Sequence, residues 1–173
     1  LAVIAGLGFV QADRVFFINL YNDARLYLLS DGGEQCLEEL SSLDANFKSL
    51  GQQGTDQCPI KNAVRISSFS NTDISSDIIL SCPTAVNVAR WLNEIDARNV
   101  THMGSLNCRT RRGSRLMSEH SFGTAIDISE IDSASVLRDW SDKGSKGDTL
   151  RKAALAACSY FSAVLTPESN RLH

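Results

Sequence analysis

Ser118-Glu119-His120-Ser121-Phe122-Gly123-Thr124-Ala125-Ile126-Asp127-Ile128-Ser129 is the stretch on which the reading of this chain turns. Residues 124–129 alternate in the manner of a strand, so Ile126 and Ile128 enter a core while Ala125 and Asp127 face a cleft. Ala125 is small enough to leave room beside the carboxylate. Gly123 lets the chain turn back, which brings the imidazole of His120 and the carboxylate of Asp127 together. One imidazole and one carboxylate are two thirds of a three-ligand catalytic zinc site. The spacing alone also fits a surface pair or a structural hydrogen bond. A nucleophilic triad of Ser118, His120 and Asp127 lacks the G-x-S-x-G elbow and places two of its members side by side.

Upstream of this stretch, residues 100–108 read as a strand that carries His102, a residue with no motif partner that is structural or exposed rather than a ligand. The strand leads into a basic loop, 109–115, with Arg109, Arg111, Arg112 and Arg115. Pro83 suits the first turn of a helix that runs to about Ala97. Residues 63–66 and 78–80 read as short strands separated by a polar loop over 67–77. Cys36, Leu37, Leu40, Leu43, Phe47 and Leu50 recur at helical steps up to Gly51, predicting a helix over 36–50. The spacing also predicts a helix over 14–29, stopped by Asp31-Gly32-Gly33, and a last helix over 150–165 ended by Pro167. Helices and short strands mix without a regular alternation, which favours an α+β fold with a small antiparallel sheet flanked by helices.

The 173 residues suffice for one domain with a core, residues 36–173, preceded by an extension over 1–35. Hydrophobic residues make up 43% and charged residues 21%, the balance of a globular chain. Seventeen basic and twenty acidic residues give a formal charge of −3, the wrong sign for a partner bound through phosphates, so nucleic acid is excluded. Five cysteines without a C-x-x-C pair point to disulfides and an oxidising compartment, with at most two bridges. The apolar residues 1–10 are half the length of a membrane span and fit either the end of a signal or anchor segment or a core element.

The wording Ser118-Glu119-His120-x-x-Gly123-x-Ala125-Ile126-Asp127 resembles the S-x-H-x-x-G-x-A-x-D motif of the D-Ala-D-Ala metallopeptidases. More closely, the chain from Cys36 to His173 resembles the extensin-like C-terminal domain of bacterial envelope proteins. The resemblance is carried by Cys36-Leu37-x-x-Leu40, by Cys58 before Val64-Arg65-Ile66, and by Cys82-Pro83 ahead of Arg90-Trp91-Leu92. Gly104-Ser105-Leu106-Asn107-Cys108-Arg109, Ala157-Cys158-Ser159-Tyr160-Phe161, Val164-Leu165-Thr166-Pro167 and Asn170-x-x-His173 continue it in order.

The resemblance implies a zinc-peptidase architecture, with His120 and Asp127 as zinc ligands. It makes Arg109 the group that holds an oxyanion or a substrate carboxylate, and Ser118 a substrate contact. The related peptidases take their last ligand and base from a His-x-His or Glu-x-x-His segment. In the extensin-like pattern the His-x-His pair follows a few residues after the histidine that matches His173, so the third ligand is expected past that residue. His173, with Glu168 as base, is the second choice. The implied function is zinc-dependent hydrolysis of a peptide bond in peptidoglycan, in the bacterial periplasm or envelope, with envelope proteins as further partners; membrane anchoring through the N-terminus is the expectation that the apolar residues 1–10 add. The alternative is a non-catalytic wall-binding or scaffold module with a degenerate metal site. Cys108 and Cys158 are the expected disulfide, tying the last helix to the sheet beside the site; Cys36 with Cys58 is the next pair, leaving Cys82.

Overall fold

Val64, Ile66, Phe69, Ile78 and Leu80 are the bulky side chains that pleated, buried segments favour, and all five are enclosed. In the computed structural model, which describes residues 33–169, they lie on two long strands, β2 (Ile60–Phe69) and β3 (Thr72–Ser81). A tight turn at Ser70 and Asn71 joins them, with Ser70 at φ 44° and Phe69 paired to Thr72. Before them comes β1 (Ala45–Gln53), and after them β4 (Asn99–Gly104), β5 (Asp127–Ile131) and β6 (Ala134–Ser135). Together they form a six-stranded sheet in chain order.

The helices are α1 (Gly33–Ser42), α2 (Cys82–Glu94), α3 (Val136–Asp139) and α4 (Ser145–Ala157). The class is α+β as expected, but the sheet is mixed, because β3 and β4 run parallel while the other neighbours are antiparallel. The cause is α2, a crossover helix that returns the chain to the end of the sheet where β3 began. A single apolar cluster joins Leu40 of α1, Trp91 and Leu92 of α2, and Leu150 and Ala153 of α4 to β2 and β3. Within it the Trp91 indole N–H donates to the Ala153 carbonyl at 2.9 Å, so this large core side chain is not left with an unpaired donor.

The parallel contact is short. Only Asp73 with Asn99 and Ile74 with Val100 pair between β3 and β4. Beyond them side chains take the place of the ladder. His102 donates its backbone N–H to Ser75 Oγ at 3.3 Å, and its Nε2 lies 2.8 Å from the Ser76 carbonyl. A carbonyl only accepts, so that nitrogen carries the proton. Ser105 donates from Oγ to the Ile79 carbonyl at 2.8 Å and accepts from the Ile79 N–H at 3.3 Å.

Several expectations give way here. The helix over 36–50 stops at Ser42: the hydroxyls of Ser41 and Ser42 bond back to the Leu37 and Glu39 carbonyls, and Asp44 takes φ 54°. The rest of that segment becomes β1, since pairing along β2 outweighs the helical spacing of Phe47 and Leu50. The polar loop over 67–77 is largely strand, its serines and Asp73 lying on the outer positions of the β2–β3 hairpin. The strand over 100–108 ends at Gly104, where Ser105 turns to Ile79, and the strand over 124–129 begins at Asp127 because Thr124 bonds back to Glu119. The last helix is Ser145–Ala157, so Pro167 does not end it.

The disulfides are Cys36–Cys82 and Cys58–Cys108, and Cys158 is an exposed free thiol. Neither the Cys108–Cys158 bridge nor the Cys36–Cys58 bridge forms. Because α4 ends at Ala157, Cys158 sits at its cap, with Sγ 3.5 Å from the Ala154 carbonyl. Cys108 instead meets the turn between β1 and β2, where Thr55 also approaches it. Two bridges suit an oxidising compartment, extracellular or envelope. Among the described residues no helix is long and apolar enough to cross a membrane. The predicted helix over 14–29, the apolar residues 1–10 and His173 lie outside the described residues.

Candidate metal centre

His120 lies on a single 3-10 turn, Glu119–Phe122, that ends at Gly123 with φ 64°. The glycine is obligatory. A Cβ there would stand 2.8 Å from the Ser81 backbone nitrogen, on top of the left-handed backbone. That close approach lets the Ser81 N–H donate to the Gly123 carbonyl at 2.9 Å, which seats the turn on the end of β3.

The imidazole is fixed from both sides. Its Nδ1 lies 2.9 Å from the Ser105 carbonyl, an acceptor only, so Nδ1 carries a proton and Nε2 of the neutral ring keeps its lone pair. Nε2 stands 3.4 Å from Asp127 Oδ2, with the His120 side chain 13% and the Asp127 side chain 36% exposed. Ser105 is therefore the hinge of the arrangement: its hydroxyl holds Ile79 of β3 and its carbonyl holds His120.

The Asp127 carboxylate raises the His120 pKa above its ordinary 6.5, burial pulls it down, the Ser105 carbonyl raises it further, and the Arg109 guanidinium opposes. Arg109 is thus near enough for its charge to act on the ring. Its backbone is held by Ser121, a fully buried residue whose hydroxyl accepts the Arg109 N–H at 3.0 Å and donates to the Arg109 carbonyl at 2.8 Å. Asn107 donates its N–H to the His120 carbonyl at 3.1 Å, and the Cys58–Cys108 bridge fastens the residue between them.

The structure thus brings His120 and Asp127 together and fixes the Arg109 backbone to the same turn through Ser121. Ser118 is 6% exposed, and its N–H donates to the Arg109 carbonyl at 2.9 Å, so its backbone work is to close the loop. Glu168 accepts from the Trp140 indole at 3.2 Å. His102 bonds Ser76 and belongs to the seam between β3 and β4. The sequence assigns no role to Ser105 or Ser121, because a buried serine that bonds backbone has no spacing signature. The one available hint was the run of small polar residues around Cys108 and His120.

A zinc ion at about 2.0–2.1 Å from each of two ligands in tetrahedral geometry needs donors about 3.3–3.4 Å apart. The 3.4 Å between Nε2 and Oδ2 meets that requirement. It is long for a direct charge-assisted hydrogen bond, which shortens to roughly 2.7–2.9 Å. With the tautomer also set by a backbone carbonyl, the pair fits two ligands of one ion. Among the described residues no group of three or more His, Cys, Asp or Glu side chains gathers at any point.

A family model described as extensin-like protein C-terminus matches residues 34–173. The chain belongs to the extensin-like C-terminal family. No curated protein and no solved structure matches it. In this extensin-like domain the match begins at α1 and takes in both disulfides and the His120–Asp127 pair.

Proposed function

We propose that this extensin-like domain is a zinc-dependent hydrolase of peptide bonds in bacterial peptidoglycan, working in the periplasm or envelope. The observation that carries the reading is the pair His120 Nε2 and Asp127 Oδ2, 3.4 Å apart, with the opposite ring nitrogen tied to the Ser105 carbonyl. The resemblance of the segment from Ser118 to Asp127 to the D-Ala-D-Ala metallopeptidase motif supplies the substrate class. A third ligand comes from outside the described residues.

A zinc ion held there would supply Lewis acidity and an acidified water. The chain's own residues do the rest. His120 and Asp127 hold one edge of the site, and Ser105 keeps the imidazole from rotating. Arg109, on a backbone pinned by Ser121 and Cys108, offers several N–H donors to an oxyanion or a substrate carboxylate. Proton transfer requires a base, which the resemblance places in the same segment as the third ligand, with Glu168 and His173 as the second choice.

The alternative reading is a wall-binding module that retains the fold without the chemistry. Purified sacculi incubated with the natural full-length protein separate the two. The hydrolase reading expects stem peptides to be released, and expects His120→Ala to abolish the release. Cleavage that survives His120→Ala contradicts the zinc mechanism, and binding without cleavage favours the module.

A further inference from the structure

The segment from Arg109 to Ser118 closes into a hairpin. Ser118 N–H donates to the Arg109 carbonyl at 2.9 Å, Thr110 bridges Met117, and Arg111 N–H donates to the Leu116 carbonyl at 2.9 Å. Gly113 at φ 70° lies in its tip, where a Ser114 N–H to Arg111 carbonyl bond of 3.1 Å tightens the turn. Its base adjoins the 3-10 turn that bears His120, so the hairpin stands beside the candidate centre on a seat fixed by Ser121 and the Cys58–Cys108 bridge.

The hairpin concentrates charge. Residues 109–115 hold four arginines and no acid, in a chain whose formal charge is −3. One of the four is used internally: Arg111 pairs with Glu119 at 2.7 Å, and Glu119 also accepts from Thr124 at 2.9 Å, which braces the hairpin against the turn. Arg112 and Arg115, both exposed, make no ion pair among the described residues.

We infer that the hairpin is a carboxylate-recognition arm, in which Arg112 and Arg115 hold acidic groups of a peptide whose reacting bond lies at His120 and Asp127. This rests on the hydrolase reading. A guanidinium fork matches a carboxylate in two parallel hydrogen bonds. The acidic balance of the whole chain repels a long polyanion, whereas a short peptide within a Debye length of about 8 Å meets mainly the local positive charge. The tip stands about three residues, or about 10 Å, from the hairpin base.

Two synthetic stem peptides of one sequence test the arm, one with free side-chain carboxylates and one with the corresponding carboxamides, titrated against the full-length protein by fluorescence anisotropy. The free acid binds roughly five- to tenfold more tightly, the scale expected of two exposed charge pairs, and the preference shrinks as salt rises. Arg112→Gln with Arg115→Gln brings the two peptides to equal affinity while the unfolding temperature stays that of the parent. Equal affinity in the parent, an undiminished preference in the double variant, or no binding of either peptide overturns the inference. Tighter binding of inorganic polyphosphate than of the acidic peptide also overturns it, in favour of a phosphate polymer. Cleavage is scored separately: a carboxylate preference without any cleavage keeps the arm and removes the hydrolase.

Discussion

The two sides of the β3–β4 seam are built differently. On one side β1, β2 and β3 pair along most of their length, and the Cys36–Cys82 bridge lies within the apolar cluster formed with α1 and α2. On the other, β4 meets β3 at only two residue pairs, and β5 is half-exposed over residues 127–130. There the order comes from single polar anchors: Ser105 on Ile79, Ser121 on Arg109, Gly123 on Ser81 and the Cys58–Cys108 bridge. The first side is stabilised by burial, which tolerates loss at one point by spreading it. The second is held by a few directional contacts, so each anchor has its own local effect and the candidate centre depends on all of them.

The largest effect belongs to the packed side. Phe69 is fully buried, and Phe69→Ala lowers unfolding free energy by roughly 3–5 kcal/mol in denaturant titrations. Metal affinity of the molecules that remain folded is unchanged. A fall in that affinity would show that the two sides act as one unit.

Removing each bridge sharpens the contrast. Cys36→Ala with Cys82→Ala and Cys58→Ala with Cys108→Ala each cost roughly 2–4 kcal/mol, since the sequence separations of 46 and 50 are nearly equal. Hydrogen exchange separates them. Only the second pair speeds exchange selectively over residues 104–118, whereas the first speeds it throughout α1 and α2. Identical exchange maps would remove the distinction.

Ser105→Ala follows in size, costing roughly 1–3 kcal/mol because the Ile79 N–H and carbonyl both lose their partner in a part-buried seam. Its backbone carbonyl is retained, so the variant keeps the His120 tautomer seen by nitrogen NMR. A changed tautomer would mean that the hydroxyl, through the strand, sets the imidazole.

The smallest effect is electrostatic. In metal-free protein Asp127→Asn lowers the His120 pKa, because the carboxylate is the foremost cause of its elevation. An elevated folded-state pKa means that the protonated pair contributes stability below about pH 6.5, and that this contribution is lost as pH rises through the folded value. The parent and Asp127→Asn therefore differ most on the acid side of 6.5 while Asp127 is ionised, and converge at higher pH. Proton NMR titration of the His120 ring checks the direction.

The same contrast explains what the sequence made legible. The helix at Pro83 and the strands at 63–66 and 78–80 could be read because burial writes a periodic pattern. Phe47 and Leu50 misled, since their helical spacing carries no record of the β2 partner that makes them a strand. On the open side His120, Gly123 and Asp127 could be found through local chemistry and motif, and Gly123 proves indispensable for a steric reason a sequence does not display. Ser105, Ser121 and the pairing of Cys58 with Cys108 depend on contacts across long separations, which no local pattern encodes.

The central claim is that His120 and Asp127 are two ligands of one zinc ion. Zinc titration of the full-length protein, read by calorimetry with His120→Ala, Asp127→Ala and His102→Ala alongside, tests it most directly. The account predicts that His120→Ala and Asp127→Ala each lose the zinc-binding transition while remaining folded, and that His102→Ala keeps the parent's affinity because its ring bonds Ser76 in the seam. Equal zinc affinity in the parent and all three variants would contradict it.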